Sequence, residues 1–321
     1  MKSFHLVAPE LRAALETWPP LDITAETLAS FRGMGFGDVV SPPGAPAAVE
    51  HLIPGPIAGS KLRVLVFDPA PGTRSRPALL HLHGGGYVVG TPEVSSPANQ
   101  RYAMEGGCVV VSVDYRLAPE TPFPGSLEDN YAALRWLHRN AESLGVDPAR
   151  IGVGGESAGG GHAAALAIAA RDRAEVPVAF QFLVYPMLDD RTGSSRQVSG
   201  YIGEYIWTAV SNRYGWSSLL GVPAGSKQVP AGAVPARVED LSRLPPTFIG
   251  VGALDLFIEE DLLYASRLIA AGVSVEVHVA PGAYHGFDGL APESVPARHF
   301  TATLIRALRR LLLAGVSSPQ A

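Results

Sequence analysis

Ile151-Gly152-Val153-Gly154-Gly155-Glu156-Ser157-Ala158-Gly159-Gly160 reads as a strand, a sharp turn and the start of a helix. Its centre, Gly155-Glu156-Ser157-Ala158-Gly159, fits the spacing G-x-S-x-G. A serine at that position sits on a strained strand-to-helix turn. The residues two places to either side must be nearly free of side chain for the backbone to close. Such a turn exposes Oγ and sets it at a helix N-terminus. Free N–H groups and the helix dipole favour developing negative charge there. The pentapeptide alone is a weak signal in a glycine-rich chain; the strand before it and the helix after it make Ser157 a candidate nucleophile. A dinucleotide-binding reading fails, because Gly152-Val153-Gly154-Gly155-Glu156-Ser157 lacks the third glycine of G-x-G-x-x-G.

Outward from this turn, short β-rich runs alternate with helical patterns, the sign of a parallel sheet with crossover helices. The runs are Leu62–Phe67, Ala78–Leu82, Val109–Val113, Ile151–Gly154, Phe180–Val184, Thr247–Val251 and Val273–Val279. Several are apolar at nearly every position, as expected of strands buried on both faces. Between them, Ser126-Leu127-Glu128-Asp129 resembles a capping box with Asp in place of Glu, opening a helix to Leu144 that Gly145 stops. Ala158–Arg171, Glu259–Ala271 and Pro296–Leu313 are further helical stretches, and weak amphipathic patterns lie near Pro9–Trp18 and Thr24–Arg32. Residues 188–240 break the alternation and carry a helical pattern with Tyr201, Tyr205, Trp207, Tyr214 and Trp216. This reads as an insertion between two core strands, and inserted loops of α/β folds commonly carry binding surfaces.

Composition narrows the function classes. Charged residues are 17% of the 321, against roughly 25% in typical soluble proteins, while 47% are hydrophobic. With 35 Gly and 28 Pro, the chain reads as a large packed core joined by many tight turns. A balance of 25 basic to 30 acidic residues, with no basic block, argues against a nucleic-acid partner. The one cysteine, Cys108, cannot form an internal disulfide or a cysteine-based metal cluster, which suits a reducing, cytoplasmic setting. No run of 18 apolar residues is present, so no membrane span is expected. The first residues reach Glu10 and Arg12 before any long apolar stretch, unlike a signal peptide.

A serine nucleophile needs oxyanion donors, a base and an acid. Ala78-Leu79-Leu80-His81-Leu82-His83-Gly84-Gly85-Gly86-Tyr87 is a strand running into a bare glycine loop, costly in chain entropy unless backbone N–H groups must turn toward a ligand. The N–H groups of Gly85, Gly86 and Ala158 are assigned as oxyanion donors, with Gly84 in reserve. His81-x-His83 could be read as a metal pair, but no third ligand follows at a recognisable spacing; no metal and no organic cofactor are expected. His83 reads as a hydrogen-bonding brace for the loop. Of the nine His, His285 stands in a loop just beyond the run Val273–Val279, where a catalytic imidazole belongs. Asp255 ends the apolar stretch Thr247–Leu254 and falls between Ser157 and His285 in order, so it is the expected acid. Glu259, Glu260 and Asp261 fall on the following helix and read as a solvated acidic first turn.

Taken together, His83-Gly84-Gly85-Gly86-Tyr87, Asp114-Tyr115-Arg116-Leu117-Ala118-Pro119-Glu120, Phe123-Pro124, Gly155–Gly160, Asp255 and His285-Gly286-Phe287 resemble the bacterial hormone-sensitive-lipase-like (family IV) carboxylesterases of the α/β-hydrolase superfamily. The resemblance implies an α/β-hydrolase fold, a mostly parallel twisted sheet flanked by helices with a helical cap. It implies a catalytic core over 46–187 and 241–321, and a cap built from 1–45 and 188–240. By the same resemblance Ser157 is the nucleophile, His285 the general base and acid, and Asp255 its orienter; the stretch Tyr115–Glu120 supports the oxyanion loop. The implied reaction is hydrolysis of short- to medium-chain carboxylic esters through an acyl-enzyme, with water as acyl acceptor. An amidase or lactonase with the same triad, or a non-catalytic ligand receptor on this scaffold, are the alternatives, and a homo-oligomer is left open. The family most often has Asp or Thr where this chain has Glu156. Gly-Glu-Ser-Ala-Gly-Gly is also similar to the elbow of the longer type-B carboxylesterases, but length, the lone Cys and Asp255 favour the first family. Candidate pocket walls are Phe36, Tyr87, Leu188, Tyr205, Trp207, Phe257, Ile258 and Phe287, with Met34 and Leu290 beside them.

Overall fold

The computed structural model describes residues 2–18, 22–34 and 41–314. In chain order the elements are α1 (Arg12–Thr17), α2 (Leu28–Met34), β1 (Ala48–Pro54), β2 (Lys61–Phe67), β3 (Arg76–Leu82), α3 (Ser96–Gly106), β4 (Val109–Val113), α4 (Gly125–Arg139), β5 (Val146–Glu156) and α5 (Ala158–Arg173). They continue with β6 (Gln181–Val184), α6 (Ala209–Leu220), β7 (Thr247–Gly252), α7 (Ile258–Ala270), β8 (Val275–Ala280), α8 (Phe287–Leu290) and α9 (Val295–Ala314). Eight strands form one sheet in the order β1-β2-β4-β3-β5-β6-β7-β8. β1 and β2 run antiparallel, as do β2 and β4; every other neighbouring pair is parallel. This is the mostly parallel sheet expected of the alternating pattern, in the α/β-hydrolase arrangement that the resemblance implies.

Both sheet faces are covered, which is why the strands read as continuous apolar runs rather than alternating ones. In β2, Val64 and Val66 point into one core with Leu134, Leu137 and Leu166, while Leu65 and Phe67 point into the other with Tyr102, Phe182 and Leu308. All residues of β4, β6 and β7 are buried. A third apolar cluster joins Tyr87, Val88 and Ala158 to Trp207, Trp216 and Leu219 from the segment between β6 and β7.

Several local expectations change. β1 gave no strand signal because it is an edge strand, exposed along most of its length and paired on one side only. The expected capping box does not form: Pro124 is the N-cap of α4 and makes no side-chain cap bond. Asp129 instead turns inward and accepts from Arg116 N, Nε and Nη2 at 3.0, 2.8 and 2.9 Å. α4 also stops at Arg139, five residues before the expected end, where Asn140 Nδ2 donates back to Trp136 O at 2.8 Å. In the 188–240 segment only Ala209–Leu220 is α-helical; Tyr201, Tyr205 and Trp207 precede it, and Thr208 Oγ1 caps it by accepting from Val210 and Ser211 N–H.

The N-terminal residues are tied to distant parts of the chain. Glu204 accepts from Lys2 N, Ser3 N and Ser3 Oγ. Ala8 N donates to Gly282 O, and Tyr284 Oη donates to Leu11 O at 2.9 Å. Among the described residues no helix is long and apolar enough to cross a membrane.

Candidate active site

The site lies at the carboxyl ends of the parallel strands, where open α/β sheets bind ligands. β5 leads directly into Ser157, whose backbone sits at φ 57°, ψ −121° as the N-cap of α5. A non-glycine residue in that region costs about 1–3 kcal/mol and persists only where its surroundings enforce it. Here they do. Ser157 N donates to Val184 O at 2.9 Å, and Ser157 O accepts from Gly161 and Met187 N–H at 3.0 Å each. The turn closes only because Gly159 has no side chain: a Cβ there would sit 1.9 Å from Leu82 O.

β7 ends just before Asp255 and β8 just before the loop with His285, so three strand ends deliver Ser157, Asp255 and His285 to one place. His285 Nδ1 lies 2.8 Å from Asp255 Oδ2, and His285 Nε2 lies 2.9 Å from Ser157 Oγ. A carboxylate only accepts, so Nδ1 carries the proton and Nε2 is left to accept from the Ser157 hydroxyl. The other Asp255 oxygen accepts from Phe257 N at 3.0 Å. Ser157 and His285 are each 6% exposed and Asp255 is fully buried, so little water competes for these bonds. Phe257 meets the His285 ring edge-on at 5.2 Å, Tyr185 at 4.8 Å, and Trp207 stands 6.3 Å away.

The glycine loop lies against this turn. Gly85 and Gly86 have φ of 123° and 58°. Among the described residues, the N–H groups of Gly85, Gly86 and Ala158 find no protein acceptor, as groups that hold a ligand would require. His83 Nδ1 donates to Gly84 O at 2.8 Å, Tyr115 Oη donates to His83 O at 2.6 Å, and the two rings stack at 4.2 Å. Burial pushes the His83 imidazole down to about 4, so it stays neutral and braces the loop.

The pocket residues divide. Trp207 and Phe257 face His285, with Ile258 next to Phe257 in the chain and partly buried. Tyr87, Leu188 and Phe287 are interior packing instead. Tyr87 is wedged between His162 and Trp216 with its hydroxyl on Met187 O. Leu188 joins the core on the far side of the sheet. Phe287 packs on Phe300 at 5.0 Å. Tyr205 packs 5.9 Å from Tyr284 in the core beside α9. Phe36 lies outside the described residues. Tyr185, which sequence reasoning passed over, touches His285 because it directly follows β6; its signal was that same strand-end position.

The acidic turn of α7 is not solvated as expected, since Glu260 and Asp261 are both buried. Glu260 Oε1 accepts from Leu188 N and Asp189 N at 2.6 and 3.1 Å, anchoring the start of the inserted segment to α7. Burial pushes Glu260 up to about 8 and Asp261 well above the usual carboxylate range.

Comparison with known proteins agrees with this geometry. The model of an α/β-hydrolase fold family matches residues 79–289. Esterase LipI of Mycobacterium tuberculosis is 36% identical over 268 residues, 82% of each chain. Carboxylesterase NlhH of Mycobacterium tuberculosis is 33% identical over 95% of this chain and 96% of its own. Among solved structures, a bacterial heroin esterase superposes with a TM-score of 0.87 at 38% identity, covering 96% of this chain and 99% of that one. Fold, glycine loop, strand-end serine and these relatives converge: the chain belongs to the α/β-hydrolase family, in its hormone-sensitive-lipase-like branch of carboxylic ester hydrolases.

Proposed function

We propose that this chain hydrolyses short- to medium-chain carboxylic esters through an acyl-enzyme on Ser157. The reading rests chiefly on the unbroken hydrogen-bond line from Ser157 Oγ through His285 to buried Asp255. In acylation, Ser157 Oγ bonds to the ester carbonyl carbon as its proton passes to His285 Nε2. The carbonyl electron pair moves onto oxygen, which accepts from the N–H groups of Gly85, Gly86 and Ala158. Each such donor is worth about 3 kcal/mol in the transition state. Asp255 holds the imidazolium in place without taking its proton. The C–O bond to the alcohol then breaks, and His285 Nε2–H supplies the proton the leaving oxygen needs. Water repeats the sequence on the acyl-enzyme: His285 takes its proton, and Ser157 leaves with that proton as the free acid departs.

Trp207 and Phe257 are the pocket walls this reading favours. Small esters and water are the substrates it needs, and we take the site of action to be cytoplasmic, in keeping with the single, buried Cys108.

Ser157→Ala tests the assignment: turnover of a p-nitrophenyl ester should fall by about 10⁴-fold or more with the fold intact. Near-normal turnover in that variant would sink it. A fluorophosphonate should label wild type and not the variant.

A further inference from the structure

β3 and β5 deliver the two halves of the proposed chemistry. β3 runs into the glycine loop and β5 into Ser157. They pair in parallel, His81 beside Gly154 and Leu82 beside Gly155, and the ladder ends there. Beyond it the loop rests on the turn: a Cβ on Gly84 would lie 3.2 Å from Glu156 O and 3.5 Å from Ser157 Cβ. The distance between the loop N–H groups and Ser157 Oγ therefore depends on how firmly these two strand ends are held in register.

A row of side chains crosses that junction on one sheet face. Ser112 of β4 pairs opposite His81, and its Oγ lies 3.1 Å from His81 Nδ1. His81 Nε2 lies 2.7 Å from Glu156 Oε2, and Tyr102 Oη donates to Glu156 Oε1 at 3.1 Å. Asn99 of α3 brings Nδ2 to 3.2 Å from His81 Nδ1. His81, Ser112, Asn99 and Tyr102 are all buried. Burial pushes the Glu156 carboxyl up, but its contacts with His81 and Tyr102 outweigh that and hold it below its ordinary value. A buried carboxylate held by an imidazole N–H is a poor source of net stability, because desolvating the charge offsets the bond. Its use is geometric: a short, directional bond between two strand ends, one residue before the nucleophile Ser157 and three before Gly84, where the glycine loop begins.

We propose that His81 and Glu156 are a positioning pair for ester hydrolysis, their bond locking the strand end that carries the oxyanion loop to the one that carries Ser157. Neither residue touches substrate. Both carboxylate oxygens of Glu156 are engaged, one by His81 and the other by Tyr102. The inference rests on the Ser157 mechanism above.

The test is a cycle of His81→Phe, Glu156→Leu and the double variant, assayed on a p-nitrophenyl ester with circular dichroism as the folding control. Each single variant should lower kcat by about 10- to 100-fold with KM within about threefold. The double should be no worse than the poorer single, because both remove one bond. Affinity for an alkyl boronic acid, which forms a tetrahedral adduct on serine, should fall with kcat rather than with KM. Glu156→Gln, which keeps an acceptor for His81, should recover activity to within about fivefold of wild type. If the leucine variant folds poorly, Glu156→Asp keeps the charge but shortens the reach and should show the same kcat loss. Wild-type kcat in a folded single or Asp variant overturns the proposal. So does a loss that multiplies in the double, or a change confined to KM. If Ser157→Ala itself retains turnover, the mechanism fails; if it is inactive while the pair variants behave as wild type, only this inference fails.

Discussion

Replacing Gly86 by Ala adds one methyl group where the inserted segment already fills the space. A Cβ on Gly86 would sit 2.0 Å from Trp207 Cη2 and 2.8 Å from Cζ2. Ordinary contact begins near 3.4 Å, so loop or indole must retreat by about 1.4 Å (3.4 − 2.0). The indole is not free to do so: Nε1–H donates to Asn212 Oδ1 at 3.1 Å, and Asn212 Nδ2 donates to Thr192 O at 2.8 Å. The loop moves instead, and its φ of 58° adds about 1–2 kcal/mol of strain for an L-residue. A displacement of that size takes an N–H out of hydrogen-bond range of the oxyanion. Losing one donor costs kcat about 10²- to 10³-fold, with KM little changed. Steady-state hydrolysis of p-nitrophenyl acetate measures both. The cause is isolated in a Trp207→Ala background, where the clash is gone and Gly86→Ala should cost less than about tenfold. Undiminished kcat in Gly86→Ala, or an equal loss in both backgrounds, would refute the reasoning.

Three other outcomes follow from buried groups. Glu260, raised by burial from 4.5 to about 8, holds a proton in the fold that the unfolded chain releases, so stability is full below pH 4.5 and is lost as pH rises through 8. Glu260→Gln should remove that fall, on the order of a few kcal/mol, in melting curves taken at about pH 5 and pH 8; an unchanged pH slope would contradict it. Arg237 donates from Nε and Nη2 to buried Asp190 at 2.7 Å each, near opposite ends of the inserted segment. Arg237→Ala strands that charge and should cost about 3–5 kcal/mol in urea denaturation, and a loss under about 1 kcal/mol would show the pair to be idle. Cys108 is buried and its thiol pushed up to about 12, so a disulfide reagent near neutral pH should react only after unfolding.

The buried glutamate also marks where reading the chain alone stopped. Glu259, Glu260 and Asp261 follow Asp255 as any acidic first turn would, and nothing local says that two of them face inward. The reason Glu260 is buried lies 71 and 72 residues away, at the N–H groups of Asp189 and Leu188. The aromatic residues behaved in the same way. Trp207 and Tyr205 stand two apart in one segment, yet one faces His285 and the other packs on Tyr284. β1 was invisible because an exposed edge strand leaves no apolar run, whereas the inner strands stood out by being buried on both sides.

Ser157, the glycine loop, Asp255 and His285 were legible because their requirements are local. A strained turn needs glycine at fixed offsets, and backbone donors need a loop without side chains. A triad on a parallel sheet needs its members just past strand ends. Those demands leave a mark in a few adjacent residues. The partner of Glu156, the walls around His285 and the register between the glycine loop and Ser157 left no such mark. They depend on side chains far apart in sequence that meet only when the sheet assembles, since a hydrogen bond or a packed ring is set by distance in space.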